Sequence, residues 1–164
     1  MACRQGEHLC DFLPCGILQV RFYETVEDEK LRFAVIIAHS GPDLLFCRHR
    51  DRDTYEMPGG HRETGESIEA CARRELEEET SALTYTLTPL YVYSVTGKNR
   101  VSTGEETFGM LYMADVTERR ETLEYEMAEV ICAKECPGAW TYPDIQPVLL
   151  QEARHRGAIS RRKE

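Results

Sequence analysis

Apolar and polar positions divide the chain into alternating strand-like and helix-like segments. Cys15–Glu24 alternates, with apolar side chains at Ile17, Val20 and Phe22, and predicts a strand. Leu31–His39 is a run rich in β-branched residues, suited to a buried strand. Leu44-Leu45-Phe46-Cys47 returns as a third strand. Turn residues separate these segments, Glu27-Asp28-Glu29 first and Gly41-Pro42-Asp43 second, so the three predict a meander. A loop holding Pro58, Gly59, Gly60 and Gly65 leads into a helix from about Ser67 to Thr80. Ser67 suits the N-cap, and Glu69 suits the first turn. Leu83–Val95 and Phe108–Val116 read as longer strands, divided by the polar loop Thr96–Thr107. A last helix is expected over Pro143–His155, with Pro143 in its first turn and Gly157 at its end. Strands and helices mixed in this order predict an α/β or α+β layered domain.

The helix after the glycine loop breaks a rule. With Ile68 at 0° and about 100° per residue, Cys71, Ala72 and Leu76 form an inward apolar stripe. Glu75 and Glu79 continue that stripe, and Glu78 lies beside it. Glu66, Arg73 and Glu77 point away. Like charges at i,i+3 and i,i+4 repel by roughly 0.2–0.5 kcal/mol per pair. Carboxylates in the last turns also oppose the helix dipole. A solvated Glu-rich helix end suits Glu77. It suits Glu75 and Glu79 poorly, because burying unpaired carboxylates is expensive. A hard divalent cation, Mg²⁺ or Mn²⁺, would relieve both costs. Pro58-Gly59-Gly60 is either a plain tight turn or a close backbone approach to a ligand, with carbonyls free to serve as metal ligands.

Composition narrows the partners. The 164 residues predict one domain, and no apolar run approaches the ~18–20 residues of a membrane span. The opening residues, with Glu7 and no long apolar stretch, do not read as a secretory leader, so a cytoplasmic location is expected. Net charge is −9, from 20 basic and 29 acidic residues, which disfavours duplex nucleic acid as a partner. A small anionic ligand remains compatible if a cation bridges the two negative partners. The seven cysteines include no CxxC pair and read as reduced thiols. A zinc site using Cys3, His8 and Cys10 is the alternative. The basic tail Arg161-Arg162-Lys163 needs no function. Arg48, Arg50 and Arg52 are candidates for holding phosphates, weighed against a plain surface run at a strand end. Tyr55 and Phe108 are candidates for stacking on a base or for core packing.

The segment from Gly60 resembles the Nudix hydrolase signature. Gly60 is followed by five residues, Glu66, seven residues, and then Arg74-Glu75-Leu76-Glu77-Glu78-Glu79. All six fixed Gly, Glu and Arg positions up to Glu79 match. The signature's final glycine is Ser81 here, at a helix end where glycine's positive φ is usual, and Ala82 follows as the apolar position. The lead-in Glu56-Met57-Pro58-Gly59-Gly60 and the stretch Glu126-Met127-Ala128-Glu129 are also similar to the family. Tyr142-Pro143-Asp144-Ile145-Gln146-Pro147 resembles a bacterial subgroup near the oxidised-purine nucleoside triphosphate hydrolases. The resemblance implies a mixed sheet sandwiched between helices. The expected division is an extension over 1–13, a Nudix domain over 14–155 and a basic tail over 156–164.

It also implies chemistry. Family members hydrolyse a nucleoside diphosphate linked to another moiety. By resemblance, Glu75, Glu78 and Glu79, with the Gly59 carbonyl, hold Mg²⁺ or Mn²⁺. Glu75 accepts or orients the proton of the attacking water, and Arg74 orients the glutamates. Arg48, Arg50 and Gly60 are the expected substrate contacts. Glu105, Glu106, Glu126 and Glu129 are candidates for a further acid. A nucleoside triphosphate, ordinary or oxidised, is the leading substrate. ADP-ribose, nucleotide sugars and dinucleoside polyphosphates remain open, as does a nucleotide-binding module without chemistry. Family members are often dimers, and a homodimer is left open.

Overall fold

Leu31–Ser40 has no polar face because both of its faces are covered. In the computed structural model, which describes residues 18–97, 104–123 and 125–159, this strand is β2, following β1 at Gln19–Tyr23. Its neighbours are β3 (Asp43–His49), β4 (Gly59–His61) and β6 (Thr107–Arg119). The parallel β2–β6 ladder runs from Leu31↔Phe108 to His39↔Asp115. Beyond β6 comes β5 (Ala82–Thr96), and beyond β3 comes β7 (Met127–Ala133). Among the described residues these strands make one seven-stranded mixed sheet, ordered β1-β5-β6-β2-β3-β7 with β4 added on β2.

The alternation along β2 sorts two cores. Val35 and Ile37 join Phe46, Leu111 and the helix α2 (Gln146–His155) through Leu149, Leu150 and Ala153. Ala34, Ile36 and Ala38 join Ala114, Val116 and the helix α1 (Ile68–Thr80) through Cys71, Ala72 and Leu76. The result is a sheet sandwiched between helices. The buried stripe of α1 is the one its periodicity predicts. Ser67 caps it as expected, accepting a hydrogen bond from the Ala70 amide at 3.0 Å.

Three expectations change. The first three strands do not form a meander. β1 crosses to the far edge and pairs with β5, while only β2 and β3 make a hairpin, paired at His39↔Leu44 and Ser40↔Asp43. The last helix starts at Gln146 rather than Pro143, so Pro147 occupies its first turn. The glycine loop ends in β4, because Gly59 and Gly60 pair with Val35 and Ala34. The zinc alternative at Cys3, His8 and Cys10, the 1–13 extension, the tail arginines and the middle of the Thr96–Thr107 loop lie outside the described residues. Among the described residues no helix is long and apolar enough to cross a membrane.

Gly109 makes room for an aromatic pair. It faces Phe33 on β2 and Tyr93 on β5, whose ring centroids are 5.4 Å apart. A Cβ at this position would run into the Phe33 ring. Gly109→Ala is therefore expected to destabilise the domain by about 1–3 kcal/mol in urea unfolding, as overpacking does. An unchanged midpoint would show that Phe33 can move freely.

Candidate active site

Arg74 organises the residues that the sequence singles out. It lies on the partly exposed side of α1, and its guanidinium reaches in three directions. Nε and Nη2 donate to both oxygens of Glu66, at 2.7 and 3.1 Å. Nη1 donates to Glu75 Oε1 at 2.6 Å and lies 3.6 Å from Glu78 Oε2. Nη2 also donates to the His61 carbonyl at 3.1 Å, tying the helix to the end of β4. The fork geometry of arginine makes this possible, since a lysine has no such planar array. Arg74 holds the Glu66 carboxyl below the usual carboxylate range.

The remaining carboxylates have less compensation. The Glu79 carboxyl is pushed well above the usual range, first by burial. The Gly59 amide, donating to Oε2 at 3.0 Å, opposes that shift, while the charges of Glu75, Glu56 and Glu78 add to it. Burial and Glu75 also push Glu78 upward, against Arg74. Glu75 presses on the glycine lead-in so closely that a Cβ at Gly60 would run into its carboxylate. The glycines are thus required by close packing against β2 and Glu75, not by a turn with positive φ.

This electrostatic excess fits a divalent cation, whose charge would offset the mutual repulsion. Among the described residues, no three His, Cys, Asp or Glu side chains are grouped as a ready cage. Glu75 leans on Arg74 through Oε1 and Glu79 on the Gly59 amide through Oε2. Glu75, Glu78, Glu79 and the Gly59 carbonyl are the groups that would hold the cation.

A cavity of about 360 Å³ opens beside Gly59 and Gly60. Phe33, Tyr93 and Tyr142 give it an aromatic wall, and Glu56 and Gln146 bring polar groups to it. Gln146 fixes this wall by bonding both ways to Met57: its Oε1 accepts from the Met57 amide at 2.7 Å, and its Nε2 donates to the Met57 carbonyl at 3.4 Å. Glu56 is buried, bonded by Arg52 at 3.3 Å, and burial raises its carboxyl despite that arginine. The size and lining match a site for one nucleoside. Sequence pattern singles out neither Glu56 nor the Gln146–Tyr142 wall as functional. The signals are an acid directly before Met57-Pro58 in the lead-in and the subgroup resemblance over Tyr142–Pro147.

Other expected site residues lie elsewhere. Gly60 lines the cavity; Arg48 and Arg50 do not. Arg48 Nε donates to Glu129 at 3.1 Å, and the Tyr55 hydroxyl donates to the same oxygen at 3.3 Å. Glu126 lies 3.0 Å from His49 Nε2. Two of the candidate acids are therefore engaged with β3 and its following residues. Glu106 accepts from the Tyr23 hydroxyl at 2.6 Å and from Ser94 Oγ at 2.7 Å. Burial pushes its carboxyl up, but those hydroxyls and nearby Arg21 and Lys30 outweigh it and leave it below the usual range. Glu105 is exposed. Phe108 tilts against Tyr23, and Tyr55 bridges to Trp140.

A layered mixed sheet thus carries an arginine-clamped row of glutamates on one helix, beside a cavity of about 360 Å³. Comparison with known proteins gives the class. The NUDIX domain family description matches residues 29–153. The chain belongs to the Nudix family. It is similar to the putative 8-oxo-dGTP diphosphatase YtkD of Bacillus subtilis (strain 168), 32% identical over 108 residues, covering 66% of this chain and 65% of that protein. A second putative 8-oxo-dGTP diphosphatase from the same organism is 28% identical over 94 residues, covering 49% of this chain. The chain thus spans just under two thirds of these curated relatives, 65% and 63% of their lengths. Among solved structures, a single-residue mutant of the Bacillus subtilis pyrophosphohydrolase BsRppH superposes with a TM-score of 0.69 at 25% identity, covering 87% of this chain and 93% of that one. A UDP-X diphosphatase shares the fold, with a TM-score of 0.62 at 18% identity over 82% of this chain and 66% of that one.

Glu79→Gln tests the electrostatic account. The variant keeps an acceptor for the Gly59 amide and removes a charge that burial disfavours. It is expected to melt above wild type in metal-free buffer, by about 2–4 °C for each kcal/mol gained. Added Mg²⁺ should raise the melting temperature of the wild type and leave the variant unchanged. A variant that melts lower without metal would show the Glu79 charge to be compensated already.

Proposed function

We propose that this chain is a divalent-cation-dependent hydrolase of a nucleoside diphosphate linked to another moiety. The leading substrate is a nucleoside triphosphate, ordinary or oxidised, cleaved to the monophosphate and pyrophosphate. The observation that carries this reading is the adjacency of the Arg74-clamped carboxylates to the aromatic cavity at Gly59 and Gly60. The similarity to putative 8-oxo-dGTP diphosphatases and to a pyrophosphohydrolase supports the same class. The complete set of glutamates argues against a binding module without chemistry, which has no need of mutually repelling carboxylates.

In this reading the cavity takes the nucleoside, with Phe33, Tyr93 and Tyr142 along its base and sugar. The diphosphate then crosses Gly59 and Gly60 toward the glutamates. Glu78, Glu79 and the Gly59 carbonyl, with Glu75, would hold the cation, which would supply charge neutralisation for the diphosphate and a more acidic water. Glu75 accepts that water's proton. Arg74 fixes Glu75 in place and Glu66 fixes Arg74, so one arginine aligns the base with the metal-holding pair.

Product analysis by chromatography with mass detection tests this. The protein is incubated with Mg²⁺ and common and 8-oxo triphosphates, ADP-ribose, nucleotide sugars and a dinucleoside polyphosphate, with Glu78→Gln as the blank. Cleavage of a triphosphate to monophosphate and pyrophosphate is expected, falling by at least about 100-fold in the variant. Turnover that persists in Glu78→Gln, or no turnover across the panel, would overturn the reading.

A further inference from the structure

Strict alternation along β2 would point Arg32 to the opposite face from Phe33. The β2–β6 ladder departs from alternation at this residue. Leu31 pairs with Phe108 and Phe33 with Gly109, so Arg32 is left without a partner on β6. An extra residue in one strand is a β-bulge, and bulges re-aim side chains. Arg32 and Phe33 both line the cavity beside Gly59 and Gly60. The backbone of Arg32 stays fixed, because its carbonyl accepts from the Arg62 amide at 2.8 Å.

The charge of Arg32 is uncommitted. The residue is exposed, and among the described residues nothing bonds its guanidinium. The arginines around it are engaged. Arg62 donates from Nε to the Glu66 carbonyl at 2.6 Å and from Nη2 to Asp28 at 2.7 Å. Arg52 bonds Glu56, and Arg74 holds the glutamates of α1. Among the described residues Arg32 is the one lysine or arginine in the cavity lining. Its place there is directional. Phe33 pairs with His61 and Ala34 with Gly60, so Arg32 stands roughly 7 Å along the strand from the Ala34–Gly60 pair, within reach of an arginine side chain. Glu56, buried, enters the same lining from the other end of the lead-in. An anion in this cavity is attracted at the Arg32 end and repelled at the Glu56 end.

We propose that Arg32 holds the phosphate attached directly to the nucleoside, the one that remains in the monophosphate product. Its planar guanidinium suits two oxygens of one phosphate. The base then lies toward Glu56, and the rest of the phosphate chain continues past Gly60 to the glutamates. The inference rests on the hydrolase reading for placing the nucleoside in this cavity. Its consequence is a phosphate contact that needs no divalent ion, so the monophosphate binds in metal-free buffer despite the acidic surroundings.

The test is calorimetry in EDTA, comparing the common and 8-oxo nucleoside monophosphates with their nucleosides on wild type, Arg32→Gln and Arg32→Lys. Arg32 is exposed, so neither substitution is expected to disturb the fold, and melting curves check this. At least one monophosphate is expected to bind about tenfold or more tighter than its nucleoside, the scale of a hydrogen bond to a charged group. Arg32→Gln should abolish that advantage and Arg32→Lys should keep part of it, with nucleoside affinity unchanged within about twofold in both. The proposal is overturned if no monophosphate binds tighter than its nucleoside, or if the advantage survives Arg32→Gln. It is also overturned if Arg32→Gln weakens nucleoside and monophosphate equally and melts lower, since that marks a structural role. Failure of the hydrolase reading would instead appear as absence of Glu78-dependent turnover, which this metal-free comparison does not use.

Discussion

The three-way contact of Arg74 is the constraint on which the site depends. One guanidinium takes both oxygens of Glu66, one oxygen of Glu75 and the nearer side of Glu78, and it also reaches the His61 carbonyl. Without a planar donor array of this kind, the glutamates of α1 would repel one another without a common partner. The contact also sets the distance between α1 and β4, and Gly60 must lack a side chain because that distance leaves no room beside Glu75. The signature's arginine, first glutamate and glycine are thus one packing solution seen at three positions.

The sheet supplies the rigidity behind this clamp. β2 is apolar on both faces because α1 covers one and α2 the other. Its start carries β4, and so places Gly59 opposite Val35 and next to the Glu79 carboxylate. Gln146 at the start of α2 bonds both backbone groups of Met57, fixing the lead-in from the opposite side. The site therefore lies where both helices meet one short edge of the sheet. It is built on regular elements, with the lead-in backbone held at both ends.

Local pattern made much of this legible, and long-range pairing accounts for what it missed. Cys71, Ala72 and Leu76 are buried as their spacing requires, because a helix stripe is written in adjacent residues. The partners of β1 are not: Val20 pairs with Val95, and nothing in either segment names the other. Pro143 and Pro147 both suit a helix start, and the Gln146–Met57 bonds accompany the later one. Arg48 is a candidate phosphate ligand in sequence, and the partner it has in the fold, Glu129, lies 81 residues away. Glu56 is missed although its partners are near in sequence, because no local pattern pairs it with Cys47 across a backbone bridge or with Arg52 through a hydrogen bond. Side chains whose role follows from neighbours on the same element are readable. Those whose role is set by a distant strand are not.

The charge balance explains why the acidic row is tolerated at all. A chain of net charge −9 that places four glutamates within mutual influence, one of them buried, carries a local penalty that folding alone does not reward. Pairing every carboxylate with a lysine or arginine would remove the penalty, and with it any affinity for a cation. Arg74 leaves the balance incomplete: it neutralises Glu66, shares Glu75 and only approaches Glu78, while Glu79 receives a single amide. What remains is a negative site of fixed shape. It would repel a polyphosphate by itself and accept one only together with a divalent ion. Under the proposed hydrolase reading, an acidic protein would bind an anionic substrate through an ion that both partners hold.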